Sequence, residues 1–205
     1  MKILVAVPSF DGHIEMDVVK SICGMCRDFH VDFLPVHGYD VASARNYMAQ
    51  YALDGGYDYL MMVDSDTVPP NGALKMLLEG DHPVTVGTYI YSLNHALTVA
   101  SRVDAANTMR YDEARLIPAA EVATYGGAKV AIGGSGLGCA LIQVDVFRRL
   151  KRPWFRWVTY ENGDELGEDC YFAELCRMAK IPMVLDSRVL CGHIKSQTLR
   201  IKGMR

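Results

Sequence analysis

The chain has 205 residues, half of them hydrophobic and 22% charged, with a formal net charge of −3 at pH 7. That length suits one domain able to bury roughly two-thirds of its unfolded surface, and the composition excludes disordered and collagen-like classes. Charge is spread without a long basic block, so neither nucleic acid nor an anionic membrane surface is indicated as a partner; only Lys195 to Arg205 is clearly cationic.

The opening run Ile3-Leu4-Val5-Ala6-Val7 is too short for a signal-peptide core, and Pro8 ends it without a small-residue cleavage pattern. No later run approaches a membrane span. The expected address is cytoplasmic, with reduced cysteines. Cys23 and Cys26 have C-x-x-C spacing, but both fall inside a predicted helix and no second metal-ligand pair follows downstream, so they are read as ordinary helix residues. Cys139, Cys170, Cys176 and Cys191 sit in apolar settings that suit small buried side chains.

In chain order, residues 3–7 read as a buried strand, and 14–29 carries Ile14, Val18, Ile22 and Met25 at helical spacing. Residues 31–36 follow as a strand, 41–53 as a helix, and 57–63 as a strongly apolar strand ending at Asp64. This alternation predicts an α/β fold with a mostly parallel sheet flanked by helices. Pro69-Pro70 marks a helix start before the apolar residues of 73–78. Short β-like runs at 84–91 and 97–103, then Gly126-Gly127 and the glycine-rich 133–138, predict a small antiparallel part on the sheet's open end. A strand at 139–144, a helix at 145–150, an aromatic strand at 154–160, a helix at 168–179 and a strand at 183–186 complete the prediction. No linker or repeat divides the chain, which is read as a single domain over 1–205.

In open α/β sheets ligands sit beyond the carboxyl ends of the strands, so Pro8, Val36 and Asp64 are expected to face one crevice. Asp64-Ser65-Asp66 sets two carboxylates at the mouth of a buried strand, where they favour a hard divalent cation able to hold a diphosphate. A solvated acidic turn is the alternative for any isolated D-x-D. The glycine run lacks the lysine of a P-loop, the spacing of G-x-G-x-x-G and the pattern of a serine nucleophile elbow.

Ser43-Ala44-Arg45-Asn46, then Tyr57 to Asp66, then Pro70 and Leu74 resemble the core of family 2 type GT-A glycosyltransferases. Gly136 to Leu150 is similar to that family's small-residue strand and short helix, Gly167-Glu168-Asp169 to its catalytic helix start, and His193 to its late metal-binding histidine. The resemblance implies a GT-A fold, Rossmann-like, with residues 1–90 as a nucleotide-binding half, 91–195 as an acceptor and catalytic half, and 196–205 as a basic tail. It implies transfer of a sugar from a nucleotide-sugar donor, a uridine or guanosine diphosphate sugar, to an acceptor hydroxyl, with inversion.

By the same resemblance Asp66 and His193 bind a divalent cation, Mn2+ or Mg2+, while Asp64 contacts the ribose or shares the metal. Pro8, Ser9, Phe10, Arg45 and Ser65 contact the nucleotide sugar, and Lys195 touches the diphosphate or is solvated. Asp169 is the general base, with the adjacent Glu168 as the other catalytic candidate. Arg45 is equally readable as a surface residue, and Glu168-Asp169 as acids complementing a helix dipole. Two rival functions stay open. Asp64 to Val68 also fits the D-x-D-x-[TV] pattern of haloacid-dehalogenase-like phosphatases with Asp64 as nucleophile, although two strand-helix units precede it here. A non-catalytic nucleotide-sugar binding module is the other. The acceptor and the oligomeric state, a homo-oligomer included, are not legible in the letters.

Overall fold

The computed structural model describes residues 1–92, 96–103 and 115–195. The tail at 196–205 lies outside them. The first half gives β1 (Ile3–Ser9), α1 (Met16–Asp28), β2 (Val31–His37), α2 (Val41–Asp54), β3 (Tyr59–Val63), β4 (Thr67–Val68), α3 (Ala73–Leu78) and β5 (Val84–Thr88). Then come β6 (Ile90–Ser92), β7 (Leu97–Ser101), β8 (Leu116–Pro118), α4 (Ala119–Thr124), β9 (Lys129–Ile132), β10 (Gly134–Ser135) and β11 (Cys139–Gln143). The chain continues through α5 (Asp145–Arg149), β12 (Val158–Thr159), β13 (Glu165–Leu166), α6 (Glu168–Met178), β14 (Met183–Leu190) and β15 (Gly192–His193).

A seven-stranded sheet in the order β2-β1-β3-β11-β5-β14-β9 organises the molecule. Strands β2, β1, β3, β5 and β14 run one way, and β11 and β9 run against them. Central strands covered on both faces must be apolar throughout, and all of Ile3–Ser9 is buried. Side-chain alternation sends Ile3, Val5 and Val7 to the face covered by α1 and α3, where Val18, Ile22, Leu74 and Leu77 meet them. Leu4 and Ala6 point to the other face, packed with Met48 and Ala52 of α2, Phe147 of α5 and Phe172 of α6. A smaller antiparallel sheet, β10-β7-β6 with β8 on β7, lies beyond the main one.

Three expectations change. The run at 84–91, expected in the small antiparallel part, is divided: Val84–Thr88 is β5 of the main sheet, and the small sheet begins only with Ile90–Ser92. The helix after the prolines begins at Ala73, because Gly72 before it takes the left-handed conformation at φ 76°. The aromatic run at 154–160 is a strand only at Val158–Thr159. Trp154 and Phe155 are instead a buried loop against Phe147 and Phe172. Asn46 satisfies that loop's backbone: its Oδ1 accepts from Trp154 N (3.0 Å) and Phe155 N (3.3 Å), and its Nδ2 donates to Phe155 O (2.7 Å). A side chain on α2 does the work a neighbouring strand would have done.

Candidate active site

The carboxyl ends of β1, β3, β5 and β14 open on one edge, and the chain leaves each of them into the site. β3 ends at Val63, and Asp64 N donates to Gly138 O (3.0 Å) while Asp64 O accepts from Thr67 N (3.1 Å), which folds the acidic tripeptide into a turn. Ser65 O accepts from Glu15 N (3.0 Å), tying that turn to the start of α1. Asp64 receives Arg45 Nη2 on both oxygens, at 2.9 and 3.2 Å.

Arg45 is no surface residue: it is 3% exposed. Its Nε lies 3.2 Å from Glu168 Oε1 but off the N–H direction, so the second carboxylate neutralises the guanidinium without a hydrogen bond. Burial would draw the Arg45 pKa down; Asp64 and Glu168 outweigh it and hold it above its ordinary value. Burial also pushes Glu168 up, with Arg45 pulling the other way. Arg45 therefore stands behind Asp64, fixing its carboxylate.

Asp66 and His193 come together across the antiparallel pair β4 and β15, with His193 Nε2 3.3 Å from Asp66 Oδ2. Ile194 N donates to Asp66 O (2.8 Å) and locks the register. His193 Nδ1 lies 3.0 Å from Ile90 O. A carbonyl only accepts, so Nδ1 carries the proton, and Nε2 is the ring nitrogen turned toward the carboxylate. Adjacent ligands of an octahedral cation with bonds of about 2.1 Å lie about 3 Å apart. The pair thus fits two neighbouring ligand positions, oriented by a second hydrogen bond as metal-binding histidines are. Asp64, turned to Arg45, is not part of it. Among the described residues no group of three or more His, Cys, Asp or Glu side chains could hold a metal ion.

Glu168 and Asp169 open α6, as expected. Asp169 Oδ1 accepts from Cys170 N (2.7 Å), and its charge bears on Arg45 and on Tyr89. Gly167 carries no side chain because a Cβ there would lie 2.7 Å from Asp169 Oδ1. Ser9 Oγ donates to His13 O (2.7 Å), closing the turn after β1 and leaving Phe10 78% exposed. Pro8 is buried within β1, and Lys195 is exposed beyond β15.

Tyr89 escaped sequence reading. It is 8% exposed, packs edge-on against His193 with ring centroids 4.8 Å apart, and its hydroxyl, raised well above its usual range by burial, faces Asp64 and Arg45. A Cβ on Gly138 would lie 2.8 Å from the Tyr89 hydroxyl, 2.8 Å from Thr67 Oγ1 and 2.9 Å from Asp64 Oδ2. The last glycine of the run is thus where polar groups from β3, β4 and the β5–β6 junction converge. No local motif marks Tyr89; the signal available was the demand of that glycine for space.

No protein-family model and no curated protein sequence matches the chain. Solved structures do. A197 from STIV is similar over 100% of both chains at 18% identity and a TM-score of 0.64. GalNAc-T7, determined with UDP, GalNAc and Mn2+, is similar over 98% of this chain and 44% of its own at 13% identity, TM-score 0.54. UTP-bound UGPase from Acinetobacter baumannii is similar over 91% and 86% at 10% identity, TM-score 0.50. The chain has the GT-A fold. In it Asp64 closes the third strand rather than the first, and Arg45 occupies both its oxygens, which is not the setting of a phosphatase nucleophile. Among the described residues no helix is long and apolar enough to cross a membrane.

Proposed function

We propose that this chain is a divalent-cation-dependent glycosyltransferase that moves a sugar from a nucleotide-sugar donor to an acceptor hydroxyl, inverting the anomeric carbon. The reading rests on the meeting of Asp66 and His193 at 3.3 Å, beside the Arg45-held Asp64, at the open edge of a GT-A sheet. The GalNAc-T7 neighbour was determined with UDP, GalNAc and Mn2+, which supports a uridine diphosphate sugar and Mn2+ here; a guanosine diphosphate sugar and Mg2+ are the variants of the same reading.

Residues 1–90 carry the contacts to the base and ribose of the donor. The exposed Phe10 ring offers a stacking face for the base, Ser9 holds the turn that presents it, and Asp64 accepts from the ribose hydroxyls. Asp66 and His193 hold the cation, which when bound neutralises charge on the departing diphosphate. Ser65 and Lys195 border that diphosphate from the two sides of the β4–β15 pair. Residues 91–195 supply the other reactant. Asp169 takes the proton of the acceptor hydroxyl as its oxygen attacks the anomeric carbon, and the bond to the diphosphate breaks on the opposite side. Glu168, paired with Arg45, serves to position rather than to accept the proton.

A general base of this kind contributes about a hundred- to ten-thousandfold in rate. Asp169→Asn should lose turnover by that factor with donor affinity unchanged, and the product of the unaltered protein should have inverted configuration. Wild-type turnover in Asp169→Asn, or retention, would remove Asp169 from the role. Donor binding without release of nucleoside diphosphate to any acceptor would leave a binding module instead.

A further inference from the structure

A cavity of ≈ 600 Å³ lies between the small sheet and α6, with Asp169 in its wall. That volume falls in the range of about 300–1,000 Å³ usual for small-molecule sites. Its wall is mostly apolar: Val99, Leu116, Ile132, Leu166, Ala173 and Met183 contribute, together with the backbone of Gly133 to Gly136. Three polar groups of the wall are used internally, while Ser135 Oγ is buried without a partner among the described residues. Arg102 is forked onto Glu121, Arg177 is bonded to Glu174 at 2.6 and 2.7 Å, and Ser101 Oγ donates to Gly134 O (3.2 Å).

Trp157 also lines the cavity and is 52% exposed. A Cβ on Gly167 would sit 3.9 Å from its ring and 2.7 Å from Asp169 Oδ1, so the glycine leaves room for the carboxylate on the side where the indole also lies. An aromatic face and a proton acceptor thus border the same opening. An anion entering there would meet Asp169 and Glu165, and a saccharide would bring many hydroxyls to a mostly apolar wall in which Arg102, Arg177 and Ser101 are already engaged. Both pay desolvation with little return.

We propose that this cavity is the acceptor site and that it takes an uncharged hydroxyl compound with an apolar, ring-sized body. The assignment rests on the transferase reading. The apolar body lies among Val99, Leu116 and Trp157, and the hydroxyl is turned to Asp169. That oxygen forms the new bond to the anomeric carbon, its proton passes to Asp169, and the nucleoside diphosphate leaves with the electron pair of the broken bond.

The test uses 2-naphthol as probe, 2-naphthoate as its charged counterpart and methyl glucoside as a saccharide acceptor. Binding is measured by calorimetry, and transfer by mass spectrometry with a panel of uridine and guanosine diphosphate sugars and Mn2+. Naphthol should bind, naphthoate should not, and Trp157→Ala should weaken naphthol at least tenfold while leaving Tm unchanged, since the ring is half exposed. Val99→Phe, which fills the cavity from β7, should abolish naphthol binding. Equal naphthol affinity in Trp157→Ala, equal binding of naphthoate, or transfer to methyl glucoside with no naphthol binding would overturn the assignment, the last while leaving the transferase reading intact. Naphthol binding lost in Trp157→Ala supports the assignment whether or not sugar is transferred; lack of transfer then counts against the transferase reading alone.

Discussion

A guanidinium taken out of water is costly unless carboxylates compensate it, and removing one partner of such a buried set destabilises by about 3–5 kcal/mol. Arg45 stands between Asp64 and Glu168 in that position. Arg45→Met should lower stability by that amount in denaturant titration, and Arg45→Lys should rescue it poorly, because one ammonium cannot face Asp64 and Glu168 at once as Nη2 and Nε do. The loss should depend on pH. Burial raises Glu168 and Arg45 restrains the rise; without Arg45 the folded state holds the Glu168 proton still more tightly than the unfolded chain. Stability from that proton is present below the ordinary carboxylate range and is lost as pH rises through the folded value. The gap between wild type and Arg45→Met should therefore be wider at pH 8 than at pH 5; an equal gap would show that Glu168 does not depend on Arg45. None of this was legible in the letters, where an arginine on a helix is as readily exposed. Its burial follows from α2 lying flat on the sheet through Ala44, Met48, Ala49 and Ala52.

The elements that place the site are those whose residues pattern strongly. β1, α1, β2, α2 and β3 were readable because apolar runs and helical spacing agree with the layer each one enters. The aromatic stretch at 154–160 misled, since Trp154 and Phe155 fill space between α5 and α6 and take their backbone partners from Asn46, a contact made across more than a hundred residues. The glycine run was readable as a bend but not as a constraint. Its meaning is in Gly138, where a methyl group would push into Asp64, Thr67 and Tyr89 at once. Gly138→Ala should cost about 1–3 kcal/mol as overpacking does and lower donor affinity at least tenfold by shifting Asp64. Thermal unfolding and calorimetry of the same preparation separate the two effects; wild-type affinity in a folded Gly138→Ala would show that the junction tolerates displacement of Asp64.

At the scale of the whole molecule, one sheet polarity brings the ends of β1, β3, β5 and β14 to a single edge, and residues from both halves of the chain meet there. That convergence could be expected from the alternation of strands and helices; the cavity beside Asp169 could not, because its walls come from short strands and glycines with little pattern of their own. A ligand that binds the native state alone stabilises it by about 2.7 kcal/mol at a hundred times its dissociation constant, so donor and cation together should raise Tm while either alone does little. The most direct measurement is calorimetric titration of a uridine or guanosine diphosphate sugar into the protein with Mn2+ and with chelator, repeated for Asp66→Asn. Binding that requires Mn2+ in the wild type and is lost in a folded Asp66→Asn is the expected result. Equal affinity with and without chelator, or an Asp66→Asn variant that binds as the wild type does, would contradict the cation site at Asp66 and His193 and the proposed activity built on it.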